Sequence, residues 1–428
     1  MTLTAETAAP APAPAHVPLP PRSWRTPVLL AVAAVLTLVV FGFLGRDEMT
    51  SFVWSGSGDT IVVPSSPASP RVLGLVLGAI SVLVAAWALF SAWKRRPVGI
   101  WASIVVAVAF LACLMAWVGA GGQVLIPFLL TNTVALSTAI VLGAMAGVIG
   151  ERVGVVNIAI EAQLLGGAFT AALVSSTTGN QIVGLVAAMI TGALISMVLA
   201  AFAIVYVVDQ VIVGVVLIGL VTAVTRLLYA TVLGPDSQTF NNPGTLPRVR
   251  IPLLADIPVL GPVLFEQRLT TYLMFLIVPA VWFVLFKTKV GLRVRALGEH
   301  PQAADTVGID VNRWRFWTVT IAGLIAGLGG AAMTIGSVGA FVNEMSAGNG
   351  FIALAAVILG RWHPIYAALA ALLFGFASAF RIWTNQAGAA IPTDLIEMTP
   401  YVVTILAVTL VAGRVVAPRA VGKPYIKG

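Results

Sequence analysis

Asn157, Glu161 and Gln163 stand in the run Val155-Val156-Asn157-Ile158-Ala159-Ile160-Glu161-Ala162-Gln163, which is otherwise apolar. Two amides and a carboxylate in such company have two uses. They hydrogen-bond across packed helices, or they face a path taken by a polar molecule. If the run is helical from 155, Asn157 and Glu161 share a face and Gln163 turns away from it. Catalysis is a poor fit: His16 lies in a Pro-rich leader, and His300 and His363 have no Ser or Cys nucleophile beside them. The single Cys113 excludes an intrachain disulfide and a cysteine metal cluster. Gly422 and Lys423 are followed by Pro424, so no GxxxxGK[ST] phosphate loop is present and any ATP must be hydrolysed elsewhere. The expectation is a chain that is not an enzyme and binds no metal or cofactor of its own.

The elements that carry these residues belong in lipid. Of the 428 residues 59% are hydrophobic and 9% charged, with a mean hydropathy of +1.01. Apolar runs long enough for the roughly 20 residues that cross a bilayer occur at 28–45, 72–93, 99–118, 125–149, 155–176, 182–207, 210–233, 271–287, 316–337, 364–383 and 398–413. A shorter run at 350–360 suits a half-helix, or merges with the run that begins at Pro364. No period-2 alternation suggests barrel strands, so an all-α polytopic transmembrane helical bundle of about 12 spans is predicted. The first run comes after a long leader and precedes Arg46, Asp47 and Glu48 without a small-residue cleavage site, which predicts an uncleaved span.

Twelve crossings that begin inside put 17 of the 24 Lys and Arg in the cytoplasm, so both termini are predicted cytoplasmic. That topology accounts for the net charge of +8 without nucleic acid. The expected organisation is a disordered Pro/Ala-rich cytoplasmic tail at 1–27, N-terminal spans at 28–120, a transmembrane core at 121–414 and a cytoplasmic tail at 415–428. Within the core, 234–270 forms an extracytoplasmic loop rich in Pro and Gly, and 288–315 a polar cytoplasmic loop. In the latter, Pro301 and Gly308 frame a helix of about two turns. It suits either docking to a soluble partner or plain connection. The GxxxG spacings Gly74/Gly78, Gly143/Gly147 and Gly323/Gly327 point to close helix packing.

Four segments, in order, resemble one family. They are Gly150-Glu151-Arg152-Val153-Gly154-Val155-Val156-Asn157-Ile158-Ala159-Ile160-Glu161, then Asp209-Gln210-Val211-Ile212-Val213-Gly214, then Gly291 to Gly308 with Arg295-Ala296-Leu297-Gly298-Glu299 and Ala303-Ala304. The last runs from Phe341-Val342-Asn343-Glu344 through Gly360-Arg361-Trp362 to Phe374-Gly375. Over about 140–410 the chain resembles the permease subunits of bacterial ABC importers that carry nucleosides, simple sugars or branched-chain amino acids, in their nucleoside-type branch. It departs from the family pattern at Asn349 and Ile218.

That resemblance implies a multi-pass protein of the bacterial inner membrane that translocates nucleosides by alternating access. Its implied partners are a cytoplasmic ABC ATPase subunit that uses ATP and Mg, a second homologous permease subunit and an extracytoplasmic substrate-binding lipoprotein. The substrate pathway would use Asn157, Glu161, Gln163, Phe341 and Asn343. The ATPase would couple through Arg295, Gly298, Glu299, Ala303, Ala304 and Gly308. Residues 28–120 would be accessory. Ribose-like sugars or branched-chain amino acids are the alternative cargo, and an ion-coupled carrier is a reading of a different class.

Overall fold

The structure is a computed structural model, and it describes residues 24–56, 61–387 and 416–427. Helices form where the apolar runs predict them: α1 Arg25–Phe43, α2 Pro70–Trp93, α3 Ile100–Val118, α4 Ile126–Arg152, α5 Ile160–Thr178, α6 Gln181–Val205, α7 Gln210–Leu233 and α8 Leu269–Lys287. Then come α9 Lys289–Glu299, α10 Pro301–Thr306, α11 Val311–Val338, α12 Asn349–Leu359 and α13 Pro364–Gln386. Among the described residues, strand is confined to pieces of three or four residues.

Helix starts carry the chemistry that starts require. Asn180, Asp209 and Asp310 accept from backbone N–H groups of the first turns of α6, α7 and α11, and proline occupies an early position in α2 and α13.

Nine helices among the described residues are long and apolar enough to cross a membrane, fewer than the twelve spans predicted. The predicted fifth span is helical only from Ile160, carries Glu161 and Gln163 in its first turn, and is not one of the nine. The tenth is the 11-residue α12, too short to cross alone. The twelfth, 398–413, lies outside the described residues, as does most of the 1–27 tail.

By its contacts the chain divides into two units, Met1–Ser51 with Pro67–Val124 and Phe52–Ser66 with Leu125–Gly428. In the first, Gly74 and Gly78 of α2 seat directly against Phe41 and Leu38 of α1. Cys113 is buried and donates its thiol to the Leu73 carbonyl at 3.7 Å.

In the second unit α4 and α11 are central. The apolar windows of these two helices are 83% and 72% buried, against 22–33% for α6, α7 and α8. The outer helices expose Ile190, Leu194, Val216, Leu220 and Leu276, a surface suited to hydrocarbon. Main chain approaches main chain where α6 meets α11: a Cβ on Gly192 would strike Gly323 and Gly327, and one on Gly327 would strike Ala188. Gly143 and Gly147 of α4 face Ala353 and Val357 of α12. All three GxxxG spacings therefore serve packing within the chain.

Candidate functional site

The predicted helical face that joins Asn157 to Glu161 does not exist. Gly154 takes φ +97°, which ends α4, and the backbone stays irregular until α5 begins at Ile160. The Val156 N–H that the break leaves free is taken up by the Gln210 side-chain oxygen at 2.8 Å. With the helix interrupted, Asn157 folds back on Gln163 instead of turning from it. The two amides exchange hydrogen bonds of 3.2 Å each, and Gln163 also donates to Ser196 Oγ at 2.8 Å. Asn157, Gln163 and Ser196 are fully buried.

Glu161 is buried too, and its partners are backbone. Its two oxygens accept from the N–H groups of Gly348 at 2.9 Å and Gly350 at 2.6 Å, at the start of α12. Gly350 packs so closely there that a Cβ would collide with Glu161 main chain. Phe341 is 1% exposed, packed edge-on to Phe169 with ring centres 5.2 Å apart. Its backbone is held on both sides by the Asn241 amide, at 2.7 and 2.9 Å. Asn343 is exposed.

A cavity of about 350 Å³ lies between α4, the end of α11, α12 and α13, within the roughly 300–1,000 Å³ of small-molecule pockets. Its polar lining is Ser337, Asn349, Ser378 and Arg381. The Arg381 Nε is buried and has no hydrogen-bond partner among the described residues. None of the five residues expected on the substrate pathway lines this cavity. Two of them reach it indirectly, since Glu161 caps the helix whose first residue is Asn349 and Phe341 precedes the lining residue Val342. Arg381 is identifiable in the sequence as a lone cation near the end of an apolar run.

The 288–315 loop contains the helix framed by Pro301 and Gly308, here α10, and a second amphipathic one, α9, whose Gly291, Val294 and Leu297 are buried. Of the residues expected to couple, Glu299, Ala303 and Gly308 are exposed while Gly298 and Ala304 are buried. Gly298 lies against the Arg152 carbonyl. Arg295 stacks its guanidinium over Phe286 at 5.1 Å. Beside them the end of α4 grips the turn between α12 and α13. Arg152 Nε donates to the Trp362 carbonyl at 2.9 Å, and the Trp362 indole donates to Glu151.

The 234–270 loop is ordered around an antiparallel pair, Arg248–Arg250 with Glu266–Arg268. Arg268 donates to the Ser337 carbonyl at 2.9 Å. Burial first, and the nearby Arg248 second, lower its pKa.

A family model described as branched-chain amino acid transport system / permease component matches residues 129–409. The chain belongs to this permease family. Among similar proteins is the guanosine ABC transporter permease protein NupQ of Bacillus subtilis (strain 168), 41% identical over 69% of this chain and 95% of that one. The nucleoside ABC transporter permease protein NupC of Lactococcus lactis subsp. cremoris is 34% identical over 70% of this chain and 96% of its own length. A putative glucose ABC transporter permease protein of Haloferax volcanii, TsgC13, is 32% identical over 61% of this chain and 79% of its own. No solved structure matches. The permease is a multi-pass integral protein of the bacterial inner membrane, and as a permease subunit it is not itself an enzyme.

Proposed function

We propose that this chain is the membrane-spanning subunit of an ABC importer for nucleosides, working by alternating access driven by separate ATPase subunits. The observation that carries this reading is the 41% identity maintained along 95% of a guanosine permease. The polar, partly exposed α9–α10 pair supports it, since a chain without a phosphate loop must receive its energy through a contact.

In this reading the ATPase subunit uses ATP and Mg, a second permease subunit completes the path, and an extracytoplasmic lipoprotein delivers the cargo. Both termini are cytoplasmic, as the placement of basic residues argues, and 28–120 is accessory. Coupling runs through Arg295, Gly298, Glu299, Ala303, Ala304 and Gly308, with Glu299, Ala303 and Gly308 outermost. Cargo passes by Asn349, Ser378 and Arg381, while Asn157, Gln163 and Glu161 brace the helices that frame the path, because their polar groups are paired within the chain.

Reconstitution with the ATPase, second permease and binding subunits tests this. Uptake of radiolabelled guanosine should require ATP, stop with vanadate and ignore ionophores. Uptake that tracks an ion gradient, or yields to glucose but not uridine in competition, overturns the assignment.

A further inference from the structure

Arg315 lies in the second turn of α11, is 2% exposed and forms no ion pair among the described residues. Its guanidinium donates to three carbonyls: Val153 at 3.1 Å through Nε, Lys423 at 3.1 Å through Nη1 and Leu297 at 3.3 Å through Nη2. Two of these are helix ends. Val153 closes α4 and Leu297 lies in the last turn of α9. Carbonyls there lack intrahelical partners and carry the negative end of the helix dipole. One buried cation thus serves two helix termini with no carboxylate, and the fork of a guanidinium is what lets it reach three acceptors.

The third carbonyl belongs to residues 416–427, which lie along α9 and α10. Ala420 N–H donates to the Gly298 carbonyl at 2.8 Å, Gly422 N–H to Gly154 at 3.3 Å and Arg419 N–H to Glu299 at 3.4 Å. Tyr425 is buried, with its hydroxyl beside the Asp305 carboxylate. Lys427 Nζ stands 3.7 Å from the same carboxylate. Pro418 and Ala420 point inward, and Arg419 and Lys423 are exposed. Ile426 is 73% exposed and Val307, just past α10, is 74% exposed. Neither belongs to a membrane-spanning helix. Val307 stands two residues from Asp305, and Ile426 lies between Tyr425 and Lys427, which both reach Asp305, so the two aliphatic side chains and the nearby cations give one face the mixed character of a contact surface.

We propose that residues 416–427 form, with α9 and α10, one composite face for the ATPase partner, and that Arg315 is the positioning residue tying this face to the α4–α5 turn. The proposal rests on the permease reading above. The partner surface it fits is a groove with an apolar floor for Val307 and Ile426 and an acidic rim for Arg419 and Lys423. Displacement of the face is carried by Arg315 to Val153 and Gly154, and thence to the α5 start, where Glu161 holds α12 and Asn349.

The test uses the full complex in liposomes, with guanosine uptake and ATP hydrolysis measured together. Ile426→Asp combined with Lys423→Glu alters only exposed side chains. It should weaken retention of the ATPase subunit by about tenfold or more, and unchanged retention refutes the composite face. Arg315→Lys keeps the charge and loses the fork. It should leave ATPase retention intact and lower uptake per ATP hydrolysed by about tenfold. An unchanged ratio in an assembled complex overturns the positioning role. Should Arg315→Lys fail to assemble, Gly422→Pro decides the point. It removes the strap's N–H bond to the Gly154 carbonyl and cannot hold the φ of +74° found there. It must lower the same ratio, and a wild-type ratio refutes the link. If the wild-type complex shows no ATP-dependent uptake, it is the permease reading that fails.

Discussion

Glu161 closes the N-terminus of α12, taking the Gly348 N–H at 2.9 Å with one oxygen and the Gly350 N–H at 2.6 Å with the other. Donors at a helix start have no partner within the helix, and a carboxylate is the acceptor best matched to them. Glu161→Gln keeps the shape and loses the charge. It should lower stability by about 1.5–3 kcal/mol, read as a reduced thermal midpoint in nanodiscs, with Glu161→Ala lower still. An unshifted midpoint in both would show that the cap holds nothing.

The same junction predicts the effect of one methyl group. A Cβ on Gly350 meets the Glu161 backbone, which cannot swing aside as a side-chain tip can. Gly350→Ala should cost about 1–3 kcal/mol. Gly219→Ala, inside α7 where nothing lies within reach of a Cβ and φ is not positive, serves as control: it should leave stability unchanged or slightly raised.

The amide pair predicts non-additivity. Gln163→Leu strands Asn157 in the interior, and Asn157→Leu takes the donor from the Gln163 oxygen while Ser196 still accepts from its N–H, each at a cost of about 1–3 kcal/mol. The double variant removes both halves and should fall well short of the sum. Additive losses in thermal melts would refute the pairing.

His363 predicts a pH dependence. Its ring packs against Phe286 at 5.1 Å and Tyr366 at 4.6 Å, and its Nδ1 is buried without a partner among the described residues. Burial, and then the Arg152 guanidinium, hold its pKa below the ordinary 6.5. The unfolded chain therefore binds a proton as pH falls below about 6.5 while the folded chain does not, so stability is kept above that pH and lost beneath it. Wild type should lose more thermal stability from about pH 7.5 to about pH 5.5 than His363→Phe does; parallel losses would exclude this imidazole as the cause.

Arg381 separates transport from folding. The Arg381 Nε is buried without a partner among the described residues, and an unsatisfied buried donor costs stability and does not add it, so Arg381→Gln should insert and melt at least as well as wild type. Loss of a contact to cargo should nevertheless raise the KM for guanosine uptake by about tenfold, the worth of a charged hydrogen bond. An unchanged KM would remove Arg381 from the path.

The spans are legible in the sequence because their signals are local: apolar length, Asp or Asn caps, and Pro70 and Pro364 at helix starts. Pro301 and Gly308 mark α10 for the same reason. The 153–159 break is not legible, since Val155 and Val156 continue an apolar run and only Gly154 hints that the backbone turns. Glu161 stands out in the sequence as costly in lipid, but its partners lie 187 and 189 residues further along the chain. Spacing cannot reveal contacts of that range. Arg315 reads as one more cytoplasmic cation, and nothing beside it in the chain shows that it serves three distant carbonyls.

The seam where Gly192 meets Gly323 and Gly327 has no side-chain cushion between its two backbones. Sliding one helix along the other would drive carbonyls into α-carbons, so α6 and α11 travel as a welded strut. Whatever gating the protein performs must flex elsewhere, and among the described residues the irregular stretches at 153–159 and 339–348, which lead into the two helices joined by the Glu161 clasp, offer two such pivots.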